Sequence, residues 1–390
     1  MKVPIYLDNA ATTPVRPEVL EAMMPFLTDR AFGNPSSSHN FGRTARAGVE
    51  EARRKVAAAV GAEPREVVFT SGGTEADNLA VEGTALAARS AGRPFRVAVD
   101  AIAHKALLGA AHWIAHLGGE MIALAVDSNG VLEPEAVDQA LKQGVAVVAV
   151  MWVNNEVGVM QDVAAIGERC AAGGTPFHVD AVQALGKIPC SVSEPRATFL
   201  AVSGHKIGAP KGIGALIVRD RAALEGMIHG GGQQQGLRPG TENVPGIVAL
   251  GRAAELAALE LESARRSLSA LRDELERCLT ERLPDAVIHA AQAPRAPHIT
   301  NVSVPGTDSE SLLMHLDLAG IACSSGSACS TGAVEPSHVL TAMGVPRELG
   351  VAALRVSFGK QNTRADVERV VEELPKVVAK VRRLAGVLGR

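Results

Sequence analysis

The segment Phe199-Leu200-Ala201-Val202-Ser203-Gly204-His205-Lys206 sets the fold. Its first residues are continuously apolar or small, with no polar-in-alternate pattern. Such a run suits a strand covered on both faces, the kind found in parallel sheets. The run then stops at a glycine and delivers a histidine and a lysine just past the strand end. Working outward, Val67-Val68-Phe69-Thr70, Arg96 to Val99, Val145 to Trp152, Phe177 to Asp180 and Gly214 to Val218 read as further strands. Ala-rich helical stretches lie between them, as in Glu75 to Arg89 and Lys105 to His116. Strands alternating with helices predict a mostly parallel sheet with helices on both faces. Ligands of such sheets bind at the carboxyl ends of the strands, where Lys206 stands.

Near residue 250 the pattern changes. One long helix is predicted from about Pro245 to Arg282, ended by Pro284. Strands near Val287 and over Asn301 to Val304 follow, then a helix from Asp308 to Leu318 and a strand from Leu354 to Phe358. The last helix is predicted to begin at Thr363, with Asp366 placed as the acidic member of a capping box. Its Lys376, Lys380, Arg382 and Arg383 suit a solvated face and a helix C-terminus. With 390 residues, two domains are expected, the second a smaller α+β unit.

Composition narrows the functional classes. A net charge of −3 supplies no field to attract nucleic acid or an anionic membrane, and 3% aromatic residues leave little for base stacking. No apolar run is long enough to span a bilayer, and the opening Met1-Lys2-Val3-Pro4-Ile5-Tyr6 has no signal core, so a cytoplasmic location is expected. The cysteines are Cys170, Cys190, Cys278, Cys323 and Cys329, an odd count without a Cys-x-x-Cys pair. That fits neither a disulfide framework nor a protein-built zinc site.

Several residues carry chemistry if the folding brings them together. A lysine at a strand end forms a Schiff base when its amine is desolvated and its pKa falls; the alternative is a surface lysine. Asp180 ends the strand Phe177-His178-Val179-Asp180 and suits either a pyridine nitrogen or the capping of the next segment. Gln183 follows one turn later, within reach of a ring oxygen. Ser71-Gly72-Gly73-Thr74-Glu75 joins a strand to a helix, and free N–H groups there hold a phosphate; a plain turn reads the same way. Arg355 among apolar strand residues needs an anion, from a substrate carboxylate or a buried ion pair. His104 and Asn155 follow two other strands and serve core or site. Cys329 lies in Ser324-Ser325-Gly326-Ser327-Ala328-Cys329-Ser330-Thr331-Gly332, where no large apolar side chain anchors the chain.

Taken in order, these segments resemble the cysteine desulfurases, in the class V aminotransferase group of fold-type I pyridoxal-phosphate (PLP) enzymes. The resemblance rests on Tyr6-Leu7-Asp8-Asn9-Ala10-Ala11-Thr12-Thr13-Pro14, on Thr70 to Asn78, on Val153-Asn154-Asn155-Glu156-Val157-Gly158 and on Ser203-Gly204-His205-Lys206. Gly236-Leu237-Arg238-Pro239-Gly240-Thr241-Glu242-Asn243, and Ser325 to Cys329 followed by Glu335-Pro336-Ser337, complete it. It implies a seven-stranded, mostly parallel sheet in a large PLP-binding domain of residues 15–257. Residues 1–14 and 258–390 would form the small domain with the cysteine loop.

The resemblance also implies roles. Lys206 would bind PLP as a Schiff base, Asp180 would pair with the pyridinium, and Gln183 and Asn155 would face the ring oxygen. His104 would stack on the ring and move protons. Gly73, Thr74, Ser203 and His205 would hold the phosphate, with Thr241 reaching the phosphate of the neighbouring subunit of a homodimer. Arg355, with Asn34, would bind the carboxylate of L-cysteine. Cys329 would take the sulfur as a persulfide and pass it to an iron–sulfur scaffold or another acceptor. It would meet metal only by sharing a cluster transiently with such a scaffold.

Two positions depart from the family pattern: Ala103 precedes His104 where glutamate is frequent, and Gln233-Gln234-Gln235 replaces a segment that often holds a charged pair. Rival readings are a selenocysteine lyase, an aminotransferase and a non-catalytic protein on the same scaffold. The cysteine loop argues against the second, and Lys206, Asp180, His104 and Cys329 together argue against the third.

Overall fold

The computed structural model describes residues 4–325 and 335–388. Twelve strands are formed among them: β1 Ile5–Tyr6, β2 Val67–Thr70, β3 Arg96–Asp100, β4 Glu120–Leu124, β5 Val147–Met151, β6 Phe177–Asp180, β7 Phe199–Ser203, β8 Gly214–Val218, β9 Val287–Ile288, β10 Ile299–Ser303, β11 Ile321–Ala322 and β12 Ala353–Ser357. The principal helices before residue 180 are α1 Pro17–Leu27, α2 Asn40–Ala59, α3 Gly73–Ser90, α4 Lys105–His116, α5 Pro134–Gln143 and α6 Val163–Ala172. After residue 240 come α7 Val244–Leu259, α8 Leu261–Arg282, α9 Ser309–Leu318, the short α10 His338–Ala342 and α11 Arg347–Gly350, and α12 Arg364–Leu388.

Seven strands form one sheet in the order β2-β8-β7-β6-β5-β3-β4. The ladders from β4 through β7 are parallel, and β8 runs antiparallel to both β2 and β7. All residues of β2, β5, β6, β7 and β8 are buried, as their unbroken apolar runs require. The edge strand β4 escaped the sequence reading. Its Glu120-Met121-Ile122-Ala123-Leu124 holds an apolar run, yet Leu124 alone of the five is buried, as an edge position allows.

A second core lies beyond residue 258. Leu268, Leu271, Leu275 and Leu279 of α8 meet Val302 of β10, Val356 of β12 and Val370, Leu374 and Val378 of α12. Ile5 and Leu7 join this cluster, because β1 pairs in parallel with β11. The N-terminal segment thus crosses from the second core to the sheet and passes over its strand ends on the way.

One expectation fails. The long helix predicted from Pro245 to Arg282 is two helices, parted at Glu260, which serves α7 as C-cap and α8 as N-cap. No glycine or proline marks the break. The cause is tertiary: the Glu260 carboxylate accepts from Arg16 at 2.8 and 2.9 Å and from Lys360 at 2.9 Å, binding three distant segments at one point. The predicted strand from Val145 to Trp152 is shorter, Val147–Met151. The final helix begins one residue after Thr363, whose N–H donates to Asp366 Oδ2 at 2.9 Å, as the capping reading expects. Among the described residues, no helix is long and apolar enough to cross a membrane.

Candidate active site

Five strand ends converge on a cavity of about 420 Å³. From β7 come Ser203, His205 and Lys206; from β6, Asp180, Val182 and Gln183; from β5, Met151 and Asn155. His104, just past β3, and Gly73 and Thr74, just past β2, complete the wall built by the sheet, and Ala10, Ala11 and Arg355 close the other side.

Lys206 lies in a single turn of 3₁₀ helix directly after β7. Its Nζ donates to the carbonyls of Ala10 at 2.5 Å and Ala11 at 2.8 Å. Burial first, then the Arg355 charge, lowers the amine from 10.5 to about 8. An amine in that range is partly neutral near pH 7 and so nucleophilic.

Asp180 is almost fully buried. Among the described residues its hydrogen bond comes from Val182 N–H to Oδ1 at 2.8 Å. Burial, and next the Asp77 charge, push its carboxyl up to about 8. A cationic ring nitrogen placed against it would hold it ionised. Behind it, Asp77 Oδ1 meets His178 Nε2 at 3.0 Å, both side chains buried. Asp77 lines the cavity although the sequence reading assigned it no role. The available signal was an acidic residue on the inward, Ala-rich face of α3, beside Ala76 and Ala80.

The phosphate corner is built for close approach. Helix α3 begins at Gly73 with its first-turn N–H groups facing the cavity end. A Cβ on Gly73 would come within 2.7 Å of Val182 Cγ2, and one on Gly214 within 2.7 Å of the Gly72 backbone. Only glycine permits this packing. Arg238 Nε donates to Glu75 Oε1 at 2.9 Å and so draws the segment leading to Thr241 against the same helix start. Thr241 itself is exposed and does not line the cavity of the single chain; nor does Asn34, whose Oδ1 accepts from Ser36 N–H at 2.9 Å.

His104 caps α4, its Nδ1 accepting from Ala106 N–H at 3.1 Å. Burial, then the Lys206 charge, lowers its pKa to about 4, so the ring is neutral with its proton on Nε2. His205 is likewise lowered to about 4, chiefly by burial. The Ala103 that departs from the family pattern is buried, and its carbonyl accepts from His338 Nε2 at 2.9 Å. The unusual glutamine run is also absorbed: Gln234 Oε1 accepts from Phe69 N–H on the edge of β2 at 2.9 Å, and its Nε2 donates to Glu242.

Arg355 makes the buried ion pair that was one of the two readings offered for it. Its Nη2 donates to Asp8 Oδ1 at 2.7 Å and its Nη1 to the Asn155 carbonyl at 2.9 Å, yet it still lines the cavity. Its Nε has no partner among the described residues. Asp8, quoted within the N-terminal motif, was not expected as its counter-ion.

Cys329 lies outside the described residues. The residues before it are tied to the site, since Ser324 and Arg355 exchange backbone hydrogen bonds at 3.1 and 2.6 Å. Those after it are tied too, through Ser337 Oγ and the buried carboxylate of Glu156. Cys170, Cys190 and Cys323 are each pushed up to about 12, mainly by burial, and are inert thiols near neutral pH.

A second cavity, of about 440 Å³, sits at the junction of the two cores, between α8 and the Arg16 and Lys360 segments. Lys187 lines it, lowered to about 8 by burial and without an acceptor among the described residues.

Comparison with known proteins agrees with this geometry. The pattern of the class-V aminotransferases matches residues 5–370. A cysteine desulfurase IscS of Methanosarcina thermophila is 43% identical over 381 residues, covering 98% of this chain and 93% of its own. A solved NifS-like protein superposes with a TM-score of 0.90 at 34% identity, over 97% of this chain and all of its own. A solved SspA in complex with cysteine gives 0.79 at 32% identity, over 90% of this chain and 98% of its own. The chain belongs to the class-V aminotransferase family, and within it to the cysteine desulfurases.

Proposed function

We propose that this chain removes sulfur from L-cysteine at the Lys206 cavity, leaving L-alanine and a persulfide on Cys329. The observation that carries the reading is the convergence of a desolvated lysine, a buried carboxylate and a glycine-lined helix start on one cavity. Those three features fit pyridoxal phosphate, the cofactor of this family: Lys206 would hold its aldehyde carbon, Asp180 its ring nitrogen, and Gly73, Thr74, Ser203 and His205 its phosphate. When bound, it supplies an electron sink for bonds broken next to the substrate's amino carbon.

The protein's own groups supply the rest. Arg355 binds the substrate carboxylate with a fork now shared between Asp8 and Asn155. His104, neutral and beside Lys206, would cover the ring and present the proton on its Nε2 as a hydrogen-bond donor. The Cys329 thiolate then forms an S–S bond as the substrate's Cβ–S bond breaks. The electron pair of the broken bond remains on the carbon skeleton, which takes up protons to become alanine. The SspA relative solved with cysteine supports the choice of substrate.

The working unit in this reading is a cytoplasmic homodimer with bodies of residues 15–257 and of 1–14 plus 258–390. Exposed Leu20, Met24 and Leu27 of α1, with Phe32 and Phe41, offer the apolar face it needs. Thr241 and Asn34, outside the cavity of one chain, would act within that dimer. The sulfur then passes to an iron–sulfur scaffold or another acceptor protein. A single turnover with L-cysteine should give one alanine and extra sulfur on Cys329 by peptide mass. Cys329→Ser should bind L-cysteine with a spectral change and release no alanine. Full alanine production by that variant, or sulfur on Cys323, would refute the reading.

A further inference from the structure

Gln183 owes its orientation to a residue outside every motif. Its Nε2 donates to the Ala10 carbonyl at 2.9 Å, and its Oε1 meets Nε2 of His298 at 3.3 Å. A carbonyl only accepts, so the amide nitrogen faces Ala10 and the amide oxygen faces His298. An amide oxygen also only accepts, so the His298 proton sits on Nε2.

The ring is fully buried. Burial first, then the charges of Lys187, Arg272, Arg355 and Lys206, hold it well below its ordinary value and keep it neutral. Its Nδ1 is left buried without a partner among the described residues. A leucine here would fill similar space without that cost, so the histidine is explained by its one hydrogen bond rather than by packing. His298 also belongs to a different body from Gln183. It immediately precedes β10, its carbonyl accepts from Phe358 N–H at 2.8 Å, and β10 places Asn301 opposite Arg355. The contact therefore crosses from the strands that carry Arg355 to the strand end that carries Asp180.

We propose that His298 is a positioning residue for Gln183, holding the amide oxygen away from the cavity so that the second Nε2 hydrogen is free to donate to the cofactor's ring oxygen. The proposal rests on the reading that Lys206 holds pyridoxal phosphate. A donor at the ring oxygen weakens that oxygen's grip on the proton it shares with the Lys206 nitrogen. Losing the donor therefore raises the pH at which that proton leaves.

The experiment titrates the visible absorption band of the holoenzyme, without substrate, in His298→Leu, His298→Asn and His298→Gln. Glutamine places a donor where the histidine Nε2 stood, and asparagine is too short to do so. The midpoint should rise by about one pH unit in the Leu and Asn variants, the scale of one altered hydrogen bond to a charged atom. It should return to the wild-type value in the Gln variant. An unchanged midpoint in folded Leu protein overturns the proposal. If the Leu chain does not fold, an unchanged midpoint in Asn protein does so. A Gln variant shifted as far as Leu also contradicts it. A wild-type band that survives Lys206→Ala would instead remove the Lys206 reading, and the proposal with it.

Discussion

Lys206 and Lys187 present the same local chemistry with different surroundings. Both amines are lowered from 10.5 to about 8, each with burial as the largest cause. Lys206 lines both cavities, of about 420 and 440 Å³, whereas Lys187 lines the second alone. Around Lys206 stand a buried carboxylate, a helix start lined with glycine and an arginine fork. Around Lys187 stand the Arg16–Glu260–Lys360 ion cluster and small side chains such as Ala257 and Ala264. Desolvation makes an amine reactive, but only convergent partners at strand ends give it a cofactor.

The widest separation between the two lysines should come from deleting each in turn. Lys206→Ala should lose turnover by on the order of 10⁴-fold or more, the scale of removing a covalent nucleophile. Lys187→Ala should keep its cofactor content and its turnover. Cofactor content by absorbance and alanine release by amino-acid analysis check both. Equal losses would erase the distinction.

The next test removes a partner rather than the amine. Asp180→Ala should retain a lysine-bound cofactor yet lose about 10²-fold in kcat, as for a preorganised electrostatic group. An unchanged kcat would make Asp180 only the acceptor for Val182 N–H. On the opposite wall, Arg355→Ala should raise KM for L-cysteine by about 10- to 100-fold, the value of a charge-assisted hydrogen bond lost. A KM that stays put while stability falls would leave Arg355 as the counter-ion of Asp8 alone.

How much of this was legible in the sequence follows from where the information resides. The strands β2, β5, β6, β7 and β8 were read from apolar runs, and the residues at or just past the ends of β2, β5, β6 and β7 gave candidates for the site. Lys206, Asp180, Gln183 and the Gly73–Thr74 corner were found in that way because strand ends place their next side chains in one cleft. What was missed depends on contacts distant in sequence. The break at Glu260 needs Arg16 and Lys360, 244 and 100 residues away. The Asp8–Arg355 pair spans 347 residues, and the His298–Gln183 contact spans 115. No local pattern marks any of them.

A smaller effect sharpens the likeness instead of the difference. In cofactor-free protein, capture of a simple aldehyde requires the neutral amine. A pKa lowered to about 8 means that capture at either lysine rises with pH through that value, not through 10.5. From pH 7 to pH 8 the neutral fraction grows about fivefold. Borohydride trapping at each pH, followed by peptide mapping, reads both sites in one sample. A flat profile at Lys206 over this range would deny its desolvation.

The most direct measurement treats the holoenzyme, loaded with one equivalent of pyridoxal phosphate per chain, with borohydride and locates the reduced cofactor by peptide mass. The account predicts all of it on Lys206, with the visible absorption lost in step. Cofactor fixed to Lys187, or to any other lysine, would contradict the account at its centre.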